Sequence, residues 1–221
     1  MRALIAGPLL RPLARSLPWR NLAAAGTLGL ALAAASRVTD LEPGGTLYLL
    51  RIAALAGAVG AAFVLDDPSR ETTEVVPASR ALRQALCVAL VLPALAVWWT
   101  AILYLGDPGH ELPWPALTLE AVTLCALAWA LSATALRLTS TTAPGLAVGG
   151  ILLVLFITSA LIPPDQSPLV PLGHSNWSTI HTLWTVLLAL ALLTWATSAR
   201  EPTPRPKAPS SRRPRTAGPP W

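Results

Sequence analysis

The chain has 221 residues, of which 53% are hydrophobic and only 12% are charged, and its mean hydropathy is +0.56. A soluble domain carries about 25% charged residues, so the composition excludes an ordinary soluble protein. The net charge of +5 could suggest nucleic-acid binding, but the basic residues lie beside apolar segments, which is typical of membrane topology instead.

Residues 1–20 contain four Arg residues and no acidic residue, with apolar residues interspersed. This pattern predicts an amphipathic helix on the inner leaflet, interrupted near Pro8 and Pro12. A cleaved signal peptide is the alternative, with the small residues of "LALAAAS" near the cleavage site. A charged region of 20 residues before the apolar core is long for a signal peptide.

Residues 21–198 contain recurrent apolar segments, each long enough to cross a bilayer of about 30 Å as a helix. The predicted spans are 21–38, 46–65, 84–105, 115–137, 142–163 and 178–198. Fourteen of the 16 Lys and Arg residues lie on one side of these spans, and the exceptions are Arg37 and Arg51. The apolar segments predict an all-α, multi-pass protein of the plasma membrane with six spans, and the excess of positive charge on one side predicts that both termini lie in the cytosol.

The cytosolic connection 66–83 contains the patterned polar stretch "RETTEVVPASR". Asp67 followed by Pro68 predicts a helix start, because Asp is a good N-cap and Pro is tolerated at the first helical position. Pro77 ends this helix, and Ser79 can cap the next one. The sequence therefore predicts a short cytosolic helix over 68–76, held between two membrane helices.

This stretch resembles the first cytosolic loop of ABC-2-type (type V exporter-like) permeases, which follows the pattern E…GT-L-E-x-L-x-x-x-P-x-S-R. The six matching residues are Glu71, Thr73, Glu74, Pro77, Ser79 and Arg80, and Arg70 precedes them. Thr72 stands where the family has Gly, and the last outer loop, about 164–177, is short for the family. An ordinary solvated loop is the alternative interpretation.

The resemblance implies that the loop with these seven residues forms the coupling helix, over 68–76, that docks on a cytosolic ABC ATPase subunit. It also implies a second permease, a copy or a paralogue, and a transporter working by alternating access, expected to be an exporter. No G-x-x-x-x-G-K-[ST] phosphate loop occurs in the sequence. No cofactor is therefore expected in this chain, and ATP with Mg is expected on the partner ATPase.

Two charged residues lie at matched depth inside predicted spans, Arg51 in the second and Glu120 in the fourth. A charge in the hydrocarbon costs about 2.5–3.5 kcal/mol on insertion scales unless it is paired or hydrated, so the sequence favours an ion pair. The alternatives are that Arg51 extends to the interface while Glu120 lies there, or that the residues contact substrate.

Small residues recur at four-residue spacing in two spans and allow close helix approach. The glycines in these positions are Gly57, Gly60, Gly145 and Gly149. Helix packing is the simpler interpretation. In the resembled family the second and fifth helices line the path near the dimer axis, which adds a functional alternative.

No arrangement of nucleophile and base supports an enzyme, and we predict that the chain has no catalytic activity of its own. Cys87 and Cys125 lie inside apolar spans and are interpreted as small hydrophobic residues. His110, His174 and His181 lie on or near the outer side, where a metal or haem site is conceivable, but their spacing matches no ligand motif.

The segment 199–221 is rich in Pro and basic residues and predicts a disordered cytosolic tail, with attraction to anionic lipid as an alternative to plain solvation. The sequence thus favours an ABC permease subunit embedded in the lipid bilayer. The alternative is a non-transport membrane scaffold or assembly factor, and a membrane-embedded enzyme is more distant.

Overall fold

The computed structural model describes residues 14–39, 41–66, 80–109, 111–139, 141–163 and 166–199. Within these ranges the chain is all-helical and contains no strand. The helices are α1 (Trp19–Val38), α2 (Pro43–Ala62), α3 (Arg80–Gly106), α4 (Trp114–Leu138), α5 (Gly145–Leu161) and α6 (Trp177–Ser198). A 3-10 turn, Phe63–Leu65, follows α2. Each predicted span coincides with one helix, and the ends differ by at most four residues.

Five of these helices are long and apolar enough to cross a membrane: α1, α2 with its 3-10 turn, α3, α4 and α6. Helix α5 is apolar but has 17 residues. At 1.5 Å per residue it reaches about 26 Å, slightly less than the bilayer core of about 30 Å. The helices are consistent with a multi-pass membrane protein.

Helix α2 lies at the centre of the bundle and contacts α1, α3, α4 and α5. Thirteen of its 20 residues are buried, and most of these are Ala or Gly. Small side chains allow neighbouring helices to approach on several sides, and this explains the central position of α2. We call the end where α2, α4 and α6 begin the Arg51 end, and the opposite end the Asp66 end.

Helix α6 packs along α4 through one narrow stripe. Its buried residues are Trp184, Ala191 and Ser198, which recur every seven residues. Ala191 packs against Ala126 and Ala130, and the hydroxyls of Thr134 and Ser198 are 3.1 Å apart. The remaining surface of α6 exposes large apolar side chains, as expected of a helix that faces lipid.

Only the end of the predicted interfacial helix over 1–20 falls within the described residues. Residues 14–16 are helical, and Pro18 precedes α1, which begins at Trp19, two residues earlier than expected. Leu17 is buried against Val64 and Val91. The predicted tail, 199–221, lies outside the described residues except for Ala199, which is buried.

Candidate functional site

Arg51 and Glu120 form a buried, bidentate ion pair between α2 and α4. Arg51 Nε donates to Glu120 Oε2 at 2.7 Å, and Arg51 Nη2 donates to Glu120 Oε1 at 2.7 Å. Only 1% of the Arg51 side chain and 3% of the Glu120 side chain are exposed. The planar guanidinium matches the carboxylate in this geometry, which is the strongest form of such a pair. The two charges predicted to pair from their matched depth therefore meet in the structure.

The Arg51 guanidinium has further partners around the ion pair. Its Nη1 donates to the backbone carbonyl of Val170 at 3.0 Å. The ring centroids of Tyr48 and Trp177 lie 5.9 and 6.0 Å from Arg51 Cζ, within the range of cation–π attraction. Every nitrogen of the guanidinium therefore has a hydrogen-bond partner, as a charge at this depth requires.

His181 joins this pair, although the sequence indicated only a histidine near the outer side. Its Nε2 lies 3.2 Å from Glu120 Oε1, and its Nδ1 lies 2.8 Å from the carbonyl oxygen of Trp177. Its ring stacks on that of Trp177 with centroids 4.3 Å apart. The four-residue spacing of Trp177 and His181 on α6, at the depth of Glu120, is the signal that could have indicated it. Arg51, Glu120 and His181 are hereafter the charged triad.

The segment 166–176, between α5 and α6, lies over the charged triad and is hydrogen-bonded to three helices. Ser167 Oγ donates to the Ser159 carbonyl at 2.7 Å, and Trp184 Nε1 donates to the Pro168 carbonyl at 3.1 Å. The bond from Arg51 to Val170 adds α2 to these contacts. This segment, short for the resembled family, is thus packed into the Arg51 end.

A pocket of about 450 Å³ lies beside the triad, which is within the size range of small-molecule sites. It is lined by Glu111, Leu112, Pro113, Leu172, His174 and Trp177, together with Gly173. Trp177 contributes both to this pocket and to the surroundings of Arg51. Trp177 therefore connects the pocket wall with the surroundings of the buried charges.

The histidines do not assemble into a metal site in the described part of the chain, where no group of three His, Cys, Asp or Glu residues could hold an ion. His174 Nδ1 accepts a hydrogen bond from the Asn176 N–H at 3.4 Å. His110 lies outside the described residues. Cys87 and Cys125 are both free thiols.

At the opposite end, Asp66 links α2 to α5. Its Oδ1 accepts a hydrogen bond from the Gly145 N–H at 2.9 Å, so it caps the first turn of α5 across 79 residues of sequence. Burial raises the pKa of Asp66 from 3.8 to about 6, while the hydrogen bond from Gly145 acts in the opposite direction. Gly145 leaves room for this contact, since a Cβ there would lie 2.6 Å from Phe63.

The predicted coupling residues follow Asp66 directly but fall outside the described residues. They are Arg70, Glu71, Thr73, Glu74, Pro77 and Ser79. Arg80 is the first residue of α3. The coupling helix over 68–76 therefore stays a prediction.

The four predicted packing glycines all lie at close helix contacts. A Cβ at Gly57 would lie 2.5 Å from the Trp98 ring, and one at Gly60 would lie 2.7 Å from Ala25 Cβ. Gly149 faces Val59 of α2, and Gly145 faces Phe63 of the 3-10 turn that follows α2. Their place near a dimer axis remains a hypothesis.

Comparison of the chain with protein-family models, with curated proteins and with solved structures finds no match.

Proposed function

We propose that the chain is the permease subunit of an ATP-driven ABC exporter, coupled to a separate cytosolic ATPase through residues 68–76. The observation that carries the proposal is the sequence of the 66–83 connection, which follows the ABC-2-type coupling pattern. In this proposal a second permease, a copy or a paralogue, completes the transporter in the plasma membrane.

The attachment of this connection supports the proposal. It begins after Asp66, next to the end of the central helix α2, and ends at Arg80, where α3 begins. Asp66 is also bonded to the first residue of α5. A force applied to the connection would act on α2, α3 and α5 together, as the transmission of a push from an ATPase requires.

The proposal includes six spans with both termini in the cytosol. The distribution of Lys and Arg supports cytosolic termini and hence an even number of spans, so in this proposal α5 crosses together with the five longer helices. Its 17 residues are at the lower limit for a crossing helix. Local thinning of the bilayer accommodates such a mismatch at modest cost.

The test reverses two charges of the coupling stretch, in the variant Glu71→Lys/Glu74→Lys. We expect normal amounts of the variant in the membrane, because surface changes usually cost less than about 0.5 kcal/mol. The ATPase recovered per permease from detergent extracts of the native host should fall about tenfold or more, because reversed charges at an interface create repulsive contacts.

The matched control is Glu42→Lys/Glu111→Lys, which reverses two exposed charges at the Arg51 end. It should leave ATPase recovery at the wild-type level. Wild-type recovery with the coupling variant would contradict the proposed dock. Recovery of other membrane proteins without any ATPase would favour the scaffold alternative.

A further inference from the structure

His181 is held so that both of its ring nitrogens face hydrogen-bond acceptors. Nδ1 faces the carbonyl oxygen of Trp177 at 2.8 Å, and a carbonyl can only accept. Nε2 faces Glu120 Oε1 at 3.2 Å, and an ionised carboxylate can also only accept. A neutral imidazole carries a single N–H and cannot satisfy both contacts.

The arrangement is complete only when one additional proton is present. Either His181 carries both N–H groups as an imidazolium, or Glu120 is protonated and donates to His181 Nε2. Both oxygens of Glu120 already accept from Arg51, and this favours an ionised carboxylate and a charged His181. We infer that Arg51, Glu120 and His181 form a proton-binding site, with the proton held between Glu120 and His181.

Few other ionisable groups face this site in the described part of the chain. Helix α2 contributes the Tyr48 ring near Arg51, and the segment 166–176 contributes His174 to the adjoining pocket. Glu111 lines that pocket. Asp107, which follows α3, is engaged by the Leu112 N–H and the Trp114 indole N–H. With the proton bound, the triad itself carries one net positive charge.

The site and the pocket share the side chain of Trp177. Trp177 forms part of the pocket wall and stacks on His181, whose side chain retains 12% exposure. Ionisable residues inside membrane bundles commonly serve proton binding or transfer, because burying them is otherwise unfavourable. The inference concerns the site itself and is independent of the proposed ATPase partner.

The bound proton joins α6 to the α2–α4 ion pair. When the proton leaves, two hydrogen-bond acceptors face each other at one of the two contacts of His181. The interaction of α6 with Glu120 therefore weakens. Arg51 donates hydrogen bonds both to Glu120 and to the backbone carbonyl of Val170. Proton release would therefore loosen the packing of the Arg51 end.

The direct test is nitrogen NMR of the full chain labelled with ¹⁵N-histidine in lipid nanodiscs. At about pH 7.5 a solvated imidazole is only about one-tenth charged. We expect one histidine to remain an imidazolium with both nitrogens protonated, and His181→Gln to remove its signal. If that variant does not fold, His110→Gln and His174→Gln assign the signal by elimination.

The same proton can instead reside on Glu120. A protonated Glu120 gives an infrared carboxylic acid band, which Glu120→Gln removes. A neutral His181 ring without such a band, in folded protein at about pH 7.5, would overturn the inference.

The stability of the protein gives a second measurement. Because the folded site binds a proton that the unfolded chain releases, the contribution of this site to stability is fully present below the pKa of an unfolded histidine, about 6.5, and is lost as pH rises through the release. The melting temperature in detergent should fall by about 3–6 °C per pH unit in that range. His181→Gln should abolish this slope, and the matched control His174→Gln should keep it. An unchanged slope in His181→Gln would contradict the inference.

Discussion

At the residue scale, Arg51 shows how a charge is accommodated at this depth. An isolated guanidinium in an apolar interior is strongly unfavourable, and a pair offsets that cost only when geometry and hydrogen bonding are complete. Both conditions hold here, because Glu120 binds Arg51 through two bonds and the Val170 carbonyl accepts a third. The pair therefore joins α2, α4 and the segment 166–176.

We predict that Arg51→Leu and Glu120→Leu each destabilise the protein by about 3–5 kcal/mol, because each leaves a buried charge without its bidentate partner. The double variant should recover a substantial part of the loss, since both charges of the bidentate pair are gone and His181 can release its proton. Melting curves of the purified protein in detergent measure the cycle. Strictly additive losses would contradict a direct interaction between the two side chains.

Part of this site could be predicted from the sequence, and part could not. Arg51 and Glu120 are rare charges in apolar segments at matched depth, so few partners were available to either. His181 was missed because an imidazole near a helix end is commonly solvated, and nothing in its flanking residues indicates that Glu120 lies opposite. Packing of α6 against α4 brings them together, which is a tertiary property.

At the element scale, the central helix α2 is contacted through its small residues. The Trp98 side chain lies against Gly26, Gly29 and Gly57, and its indole N–H donates to the Gly26 carbonyl at 2.9 Å. Absence of side chains at these positions creates the space that the indole fills. The contact joins α1, α2 and α3.

We predict opposite effects of the same substitution at two helical glycines. Gly57→Ala should destabilise the protein by about 1–3 kcal/mol, because its Cβ would lie 2.5 Å from the Trp98 ring. Gly150→Ala is the matched control, since no atom lies within 4 Å of that Cβ. It should gain up to about 1 kcal/mol from higher helix propensity. Thermal unfolding of both variants in detergent measures the difference, and equal effects would contradict this packing.

The positions of the helices could be predicted within a few residues, because long apolar segments bounded by Pro, Gly and charged residues define them. The contacts between the helices could not be predicted in this way. In a membrane helix the faces toward lipid and toward protein are both apolar, so hydrophobic periodicity does not distinguish them. The contact of α4 with α6, for example, depends on Ala126, Ala130 and Ala191, which resemble many other alanines in the chain.

At the scale of the whole molecule, the number of spans depends on α5. Five helices satisfy the length and hydropathy expected of a crossing helix, and α5, with 17 residues, is the shorter sixth. If α5 crosses, the connections on its two sides lie on opposite faces of the membrane. If α5 does not cross, these two connections lie on the same face. With the N-terminus in the cytosol, the C-terminus would then lie outside. The position of the C-terminus relative to the connection 66–83 thus follows from this one helix.

We predict six spans, and labelling of single cysteines tests this directly. Single cysteines are introduced into a variant in which Cys87 and Cys125 are replaced by Ala. Thr139 precedes α5 and Gln166 follows it, and both positions are exposed, so Thr139→Cys and Gln166→Cys report on the two sides of α5. An impermeant maleimide should label Gln166→Cys in intact cells, and Glu111→Cys as the control for the same face. Thr139→Cys and Ser210→Cys in the tail should react only after the cells are permeabilised, because the positive-inside rule places both in the cytosol. Labelling of Thr139→Cys and Gln166→Cys from the same side would show that α5 does not cross. Labelling of all four positions in the reverse pattern would contradict the cytosolic placement of the termini, and with it the proposed docking of residues 68–76 on a cytosolic ATPase.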